Sequence, residues 1–576
     1  LSGLRVGPIG EITYDPGSGS DRSVQDKLRS IGITPGDEGA VGDGSTNDRV
    51  ALLAANSGNG RVHGDEGKTY RISADTTIGV FIANGAVIEV DSGQTLTVDQ
   101  VISGNDVCFT GAGTVVITSH FYNLAWFEGA TANAKFDFLK KGLEINRQWT
   151  LYIPTPKPSD PAAIEISGFG ELAWDQTAPL IFGDPENNCT ILMEGFLIAT
   201  ASMTAQIQFG NIVDEEKTES IRAPLGLKLY GDALATYGLY IPLAAHIDIP
   251  LIEAHKHQSS FCIESGLVAA LAVNDISIGK IYGAYLTGSM VDIMGKAGVL
   301  ADSIHIKEIH FDGATPSTVN SIVRVRGVVR GLQIDMIRDE ASVGNGLYDV
   351  DTAIVDVNTI TDATRAPEGV KIGTIFWNIS TGSPPIALKV RNTVGGTEPD
   401  PKNIICDDFI SRTNPSGHAF DLTVGSNHRV RGRDNGKTVN VGATCTDIYL
   451  DNFRITDCTI DNAASNVVVN GSNQRRVAIT AAAAISIPVP SHLQEGVMLN
   501  MTAMDAGGTM RYLQAALECS SGASAVKVAG SADVDVTTGA LTGSTGTASR
   551  ITVSADNGLI YIENRLAGTE TVRIEF

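Results

Sequence analysis

From Ala245 to Ser342 the apolar residues return at one spacing in four successive copies. They are Ile247/Ile249/Ile252, Ile276/Ile278/Ile281, Ile304/Ile306/Ile309 and Leu332/Ile334/Ile337, with first positions 29, 28 and 28 residues apart. Alternation of apolar and polar residues predicts strands, and a fixed period of this size predicts a solenoid. The two-residue gap before the third apolar position predicts a corner there. Each copy therefore reads as one coil of a parallel β-helix.

The same template extends in both directions. Upstream it matches Val107/Phe109, Phe136/Phe138, Ile164/Ile166/Phe169 and Ile191/Met193/Phe196, with a degenerate copy near Ile221–Leu229. Downstream it matches Val370/Ile372/Ile375, Ile404/Cys406/Phe409 and Ile448/Leu450/Phe453, at steps of 38, 34 and 44 residues. The longer steps predict loops, as do the Pro-rich stretch Trp149–Pro161 and the segments Asp339–Ala366 and Ile379–Pro401. About a dozen coils are expected.

Around this rod the chain divides into four parts. Residues 1–30 are rich in Gly, Pro, Ser and Asp and read as an attachment arm, with a short helix at Ser23–Ser30. Residues 31–75 hold a short helix through Val50, Leu52, Leu53 and Ala54, capped by Asn47 or Asp48, which covers the open end of the first coil. Residues 76–474 are the β-helix. From 475 to 576, short alternating stretches separated by Gly/Ser/Thr turns predict a β-sandwich. The fold class is all-β.

Composition narrows the partners. The net charge is −23 and no Lys/Arg-rich run occurs, which excludes a nucleic-acid footprint. Seven cysteines lie scattered without metal spacing and read as small core residues of a chain folded in a reducing cytoplasm. No basic-then-apolar leader and no membrane-length apolar run is visible. No GxSxG element and no Walker-type loop is present.

The segment GAVGDGSTNDRVALLAAN (Gly39–Asn56) followed by GKTYRIS (Gly67–Ser73) resembles the entry motif of pectate-lyase-like β-helix proteins. These are commonest among bacteriophage tailspikes and capsule depolymerases. Asn47 replaces the first aspartate of the usual pair, and the intervening segment is short. The resemblance implies a right-handed parallel β-helix and a homotrimer. It also implies a place in the virion tail, attachment to a tail or adaptor protein through the N-terminus, and action on capsular or lipopolysaccharide O-antigen chains without membrane insertion. The C-terminal domain would serve trimerisation or glycan binding. The motif is structural in the family, so Asp43 and Asp48 take no catalytic role, and an Asp43–Asp48 calcium loop lacks its bidentate Glu.

A coil repeat states which distant residues are neighbours. Six places after the first apolar position come Glu253, Tyr282, His310 and Arg338. Eight places after it come His255, Ala284, Asp312 and Glu340. Adjacent members of such a column lie about 5 Å apart. Glycoside hydrolysis needs two carboxyls, about 5–5.5 Å apart for retention and about 6.5–9.5 Å for inversion. Asp312 with Glu340 suits the short spacing and Glu253 with Asp312 the long one. β-Elimination needs a base, Tyr282 or His310, and a cation such as Arg338 or Lys256 for the enolate. The residues allow both chemistries, and a solvated charged face is the bland alternative. Trp174 with Asp175, and Tyr230 with Asp232, make a second candidate as a sugar platform. Trp174 in a subunit interface is the rival reading. His255 and His257, two apart in a strand, would share a face, but no third ligand follows from the sequence. No metal and no cofactor is implied.

Overall fold

In the computed structural model, one residue before each first apolar position from Ile247 onward the backbone turns left-handed. The residues are His246 (φ 55°), Asp275 (56°), Ser303 (55°), Gly331 (65°), Gly369 (66°), Asn403 (54°) and Asp447 (54°). Small polar residues and glycine tolerate this region best, because a short side chain bonds locally and glycine has no Cβ. The turn thus lies ahead of the first apolar position. At the two-residue gap the strand continues and two successive residues face outward, so the predicted corner is a change of facing within one strand.

The structure describes residues 4–6, 12–14 and 22–23 and most of 32–575. Within 32–575 the longest stretches outside the description are 156–162, 313–320, 340–352, 378–385 and 412–418. The chain forms two compact units, Leu1–Tyr240 with Ala244–His257, and Ile241–Leu243 with Gln258–Phe576.

In the first unit, helix α1 (Arg49–Asn59) buries Ala51, Leu52 and Ala55 and leaves Val50 exposed. Asp48 occupies the cap position without capping. Its carboxylate instead accepts from the amides of Val41 (2.8 Å) and Gly42 (3.2 Å), while Asn47 accepts from Arg49 N–H at 3.3 Å. Asp43 accepts from the amides of Thr46 (2.7 Å) and Ser45 (2.8 Å), and these bonds hold its carboxyl well below the usual range. Both motif aspartates therefore fix backbone turns. The expected helix at Ser23–Ser30 lies outside the described residues apart from Ser23.

The first coils pair Thr69–Ile72, Val87–Val90 and Phe109–Gly111 in one parallel sheet, with Thr76–Ile82, Thr95–Ile102 and Thr114–Ile117 in another. Phe109 is buried in this stack, whereas Val107 lies outside any strand. Phe136 and Phe138 are not a coil; they are buried on helix α2 (Ala132–Ile145), whose i, i+2 pair mimics alternation. Trp149 is not in a loop, because strand β1 (Gln148–Ile153) stacks Leu151 on Ile191 and Ile153 on Met193. Ile164 belongs to a two-residue antiparallel strand, and Ile166 and Phe169 lie outside the description. Strands β2 (Phe196–Ala199), β3 (Leu227–Tyr230) and β4 (Ala244–His255) follow in parallel, with Leu197 beside Leu229 and Leu229 beside Ala254. The degenerate copy near Ile221–Leu229 is thus a coil, as its spacing predicts.

In the second unit the chain alternates between two parallel sheets. One contains β5 (Val273–Ala284), β7 (Ala301–Asp312), β9 (Gln333–Asp339), β11 (Lys371–Trp377) and β13 (Ile405–Ser411). The other contains β6 (Val291–Gly295), β8 (Val323–Gly327), β10 (Val355–Thr359) and β12 (Leu388–Asn392). Ile278, Ile306, Ile334, Ile372 and Cys406 form one buried stack. Burial of such stacked branched side chains stabilises by roughly 1.5–3 kcal/mol per residue. β10 and β12 fall within segments expected as loops, so part of each supposed insertion is the second side of an ordinary coil. The 44-residue step to Ile448 likewise hides a coil, since Val430 pairs with both Cys406 and Leu450.

The C-terminal region packs a five-stranded sheet against a four-stranded one. The larger sheet includes Val497–Asp505, Met510–Glu518 and Ser524–Gly530; the smaller includes Ile551–Asp556 and Leu559–Asn564. Leu499, Met501, Leu513, Val553, Ile562 and Val572 share their common core. Six of the seven cysteines are buried.

Candidate functional site

In the second unit the repeat sets the predicted residues side by side. Tyr282 pairs with His310 and His310 with Arg338, while Ala284 pairs with Asp312. The cause is the register of the buried isoleucines: once Ile281, Ile309 and Ile337 stack inward, the residue after each faces out in line. Tyr282 Oη donates to Asp312 Oδ2 at 3.1 Å. The Tyr282 ring meets the His310 imidazole edge-on, with centroids 5.1 Å apart. One column over, Lys280 Nζ lies 2.9 Å from Glu308 Oε1, which is also 3.8 Å from His310 Nδ1. Phe376 follows Arg338 in the same row. Glu340, expected beside Asp312, lies outside the described residues.

In the first unit a second group assembles from β2, β3 and β4. Glu253 Oε1 is 3.3 Å from His255 Nε2. His255 pairs in register with Tyr230, and its ring lies 6.4 Å from that of Phe196. Lys256 Nζ sits 5.0 Å from the Tyr230 ring centre and 3.4 Å from Asp232 Oδ1. Tyr230 and then Asp232 raise the Lys256 ammonium above its ordinary pKa. Lys228 lies over the Phe196 ring at 5.9 Å and donates to the Glu194 carbonyl at 3.0 Å. Tyr152 donates to Glu194 Oε2 at 2.6 Å.

Glu253, His255, Lys256, Tyr230 and Asp232 thus share one surface. Phe196, Lys228 and Tyr152 belong to it as well and were not expected. The repeat template puts Phe196 inside, but Leu197 takes that inward place and turns Phe196 half out. The signal was present in the doubled apolar pair Phe196–Leu197. Trp174 lies on the strand Glu171–Trp174, whose backbone alone is described, and Asp175 lies outside the description.

His255 and His257 do not share a face. Lys256 is left-handed at φ 53° and ends the strand, so His257 turns inward. It is 1% exposed and bonds Gln206 Oε1 through Nε2 at 2.7 Å. Among the described residues no three His, Cys, Asp or Glu side chains gather closely enough to hold a metal ion.

Chemically, the second-unit group offers a carboxylate held by a phenol, an imidazole and a guanidinium in adjacent coils. The first-unit group offers two aromatic faces flanked by carboxylates and ammoniums, the combination that stacks on sugar rings and bonds their hydroxyls.

No family model matches the sequence, and no curated protein matches it. Among solved structures the chain is similar to the tailspike protein of Acinetobacter phage vB_ApiP_P1. The identity is 10% and the TM-score 0.21, over 99% of this chain and 94% of that one. It is also similar to gp49 of Acinetobacter baumannii bacteriophage Fri1, a tailspike and capsular polysaccharide depolymerase. There the identity is 8% and the TM-score 0.16, over 88% of this chain and 79% of that one. Identities and TM-scores this low assign this chain no activity.

Proposed function

We propose that this protein is a tailspike that binds and cleaves a bacterial surface polysaccharide, capsule or O-antigen, by glycoside hydrolysis. The observation that carries the chemistry is the Tyr282–Asp312 hydrogen bond. A phenol that donates to a carboxylate keeps its proton, so the group poised to accept a proton or attack carbon is Asp312. Hydrolysis needs a second carboxyl, and Glu340 is the candidate one coil on. Tyr230, Lys256, Asp232 and His255 serve as sugar contacts, as do Trp174 and Asp175.

Elimination is the second reading, favoured by the Tyr282–His310–Arg338 row. There His310 takes the proton beside a uronate carboxyl and Arg338 stabilises the enolate.

The entry motif supports a place in the virion tail, with the N-terminal arm on a tail or adaptor protein. It also supports a homotrimer. The outer face of the larger C-terminal sheet, which exposes Met498, Met504, Met510, Tyr512, Val526 and Val528, is the surface such self-association would cover.

The experiment is digestion of surface polysaccharide from a susceptible host, with mass spectrometry of the oligosaccharides. Products that gain one water per cut establish hydrolysis. Products carrying an unsaturated uronate chromophore establish elimination. Binding without any cleavage overturns both readings and leaves a receptor-binding fibre.

A further inference from the structure

The second sheet of the second unit carries a ladder of charges that the proposed cleavage does not use. On β6, β8, β10 and β12 the inward residues Val291, Ile293, Val323, Val325, Val355, Val357, Leu388 and Val390 are fully buried, so the residues between them face outward. One outward column runs Asp292, Arg324, Asp356, Lys389, Asp421. The next holds Arg326, Asn358 and Arg391.

The two inner carboxylates are each held by a guanidinium from that second column. Arg326 donates to both oxygens of Asp292, from Nε at 3.1 Å and Nη2 at 2.6 Å. Arg391 does the same to Asp356, from Nε at 2.8 Å and Nη2 at 2.7 Å. Paired forks of this kind are the strong form of the interaction. Asp292 and Asp356 are almost fully covered, with side chains 8% and 3% exposed.

Arg324 stands between these two forks and has neither. Among the described residues its guanidinium makes no hydrogen bond, and the carboxylate oxygen it approaches, Asp292 Oδ2, is 3.9 Å away. The side chain is only 28% exposed. Burial, and then the neighbouring Arg326, lower its ordinarily very high pKa, yet it stays a cation at neutral pH. Three guanidiniums therefore face two carboxylates, and the one in the middle keeps its five donors. Beside two carboxylates already taken by other guanidiniums, these partly exposed donors are open to an arriving oxyanion.

We propose that this ladder is an oxyanion-binding site centred on Arg324, taking a carboxylate or sulfate group of a ligand. Its chemistry fits the uronate or sulfate substituent of an acidic saccharide, or the free inorganic ion. The site gives a chain of net charge −23 a local means of meeting an anionic ligand. It does not rest on the cleavage reading, because binding is measured directly and the site contains none of the residues of that reading.

The test is isothermal titration of the full chain at low ionic strength with trigalacturonate, sodium sulfate and maltotriose. Trigalacturonate and sulfate bind and compete with each other, and maltotriose does not displace them. Arg324→Gln weakens both roughly tenfold to a hundredfold, the size of one charge-assisted fork. Arg324→Lys keeps the charge and loses the fork, so it weakens trigalacturonate even if the Gln variant does not fold. Sulfate binding without trigalacturonate binding identifies a free inorganic ion as the occupant. The proposal is overturned if wild type binds neither anion, or if both variants bind them as wild type does. It is equally overturned if maltotriose competes and is lost alongside them.

Discussion

Tyr282 and Asp312 are 30 residues apart in sequence and 3.1 Å apart in the fold, joined by a bond from phenol to carboxylate across neighbouring coils. If Asp312 is the attacking or proton-accepting carboxylate, Asp312→Ala lowers polysaccharide cleavage at least about a hundredfold while the far-ultraviolet circular dichroism is unchanged. Tyr282→Phe removes only a hydrogen bond to a charged acceptor and lowers the rate roughly tenfold to a hundredfold. A Tyr282→Phe loss as deep as that of Asp312→Ala, together with an unsaturated product, would transfer the chemistry to elimination.

The rows that hold these residues were legible because the inward isoleucines repeat without insertion from Ile276 to Ile337. A constant period converts sequence distance into register, so Tyr282, His310 and Arg338 could be aligned from spacing alone. Where the loops vary in length that conversion fails. Asp292, Arg324, Asp356 and Lys389 recur at 32, 32 and 33 residues, and they ride on short strands that look like insertions when only the first sheet is sought. The left-handed turn was equally readable, as a His, Asp, Ser, Gly or Asn before each first apolar position from Ile247 onward, but the apolar period is the stronger signal. Phe136 and Phe138 misled because helix α2 is buried on more than one side, so that even residues at i and i+2 are apolar. Val430 escaped because its strand, Arg429–Arg431, is three residues long and offers one inward side chain.

The cation–ring contact of Lys256 with Tyr230 lies on the surface, and the Asp232 ion pair beside it is partly exposed. Exposed contacts of this kind contribute about 0.5–1 kcal/mol each at most. Lys256→Ala, which removes both, is therefore expected to shift unfolding by no more than about 2 kcal/mol in urea titration. Tyr230→Ala is expected to weaken glycan binding in equilibrium titration, and Tyr230→Phe to preserve most of it, because the ring face is what remains. Equal losses from both Tyr230 variants would mean that the hydroxyl, not the ring, makes the contact.

Ile306 sits fully buried between Ile278 and Ile334 in the middle of the inward stack. Ile306→Ala opens a cavity bounded by two neighbouring coils that cannot collapse independently. The expected loss is about 2–5 kcal/mol, against about 0.5–1.5 kcal/mol for Ile306→Val. Urea midpoints of the two variants measure this directly. A loss below about 1 kcal/mol for Ile306→Ala would show that the coils close over the gap.

Two imidazoles make the fold acid-sensitive. His428 is fully buried; the Ile404 N–H donates to its Nδ1 at 3.3 Å, and its Nε2 bonds the Val424 carbonyl at 3.0 Å. The neutral ring protonated at Nε2 satisfies both partners, and a second proton on Nδ1 would face a donor. Burial pushes His428 down to about 4, and burial followed by His255 pushes His257 down to about 3. Unfolded, each titrates near 6.5. The sign follows: the unfolded chain binds more protons below pH 6.5, so stability is intact above that value and falls as pH drops toward the folded values. Each ring costs about 1.4 kcal/mol per pH unit across its window, or about 2 kcal/mol at pH 5. His428→Asn removes one of these protons. Compared with wild type between pH 8 and 5, it should therefore show a shallower decline in the urea midpoint and about one proton fewer taken up on unfolding, read by calorimetry in two buffers of different ionisation enthalpy. An unchanged slope would mean that His428 is already protonated in the folded chain and that Ile404 N–H does not hold its Nδ1.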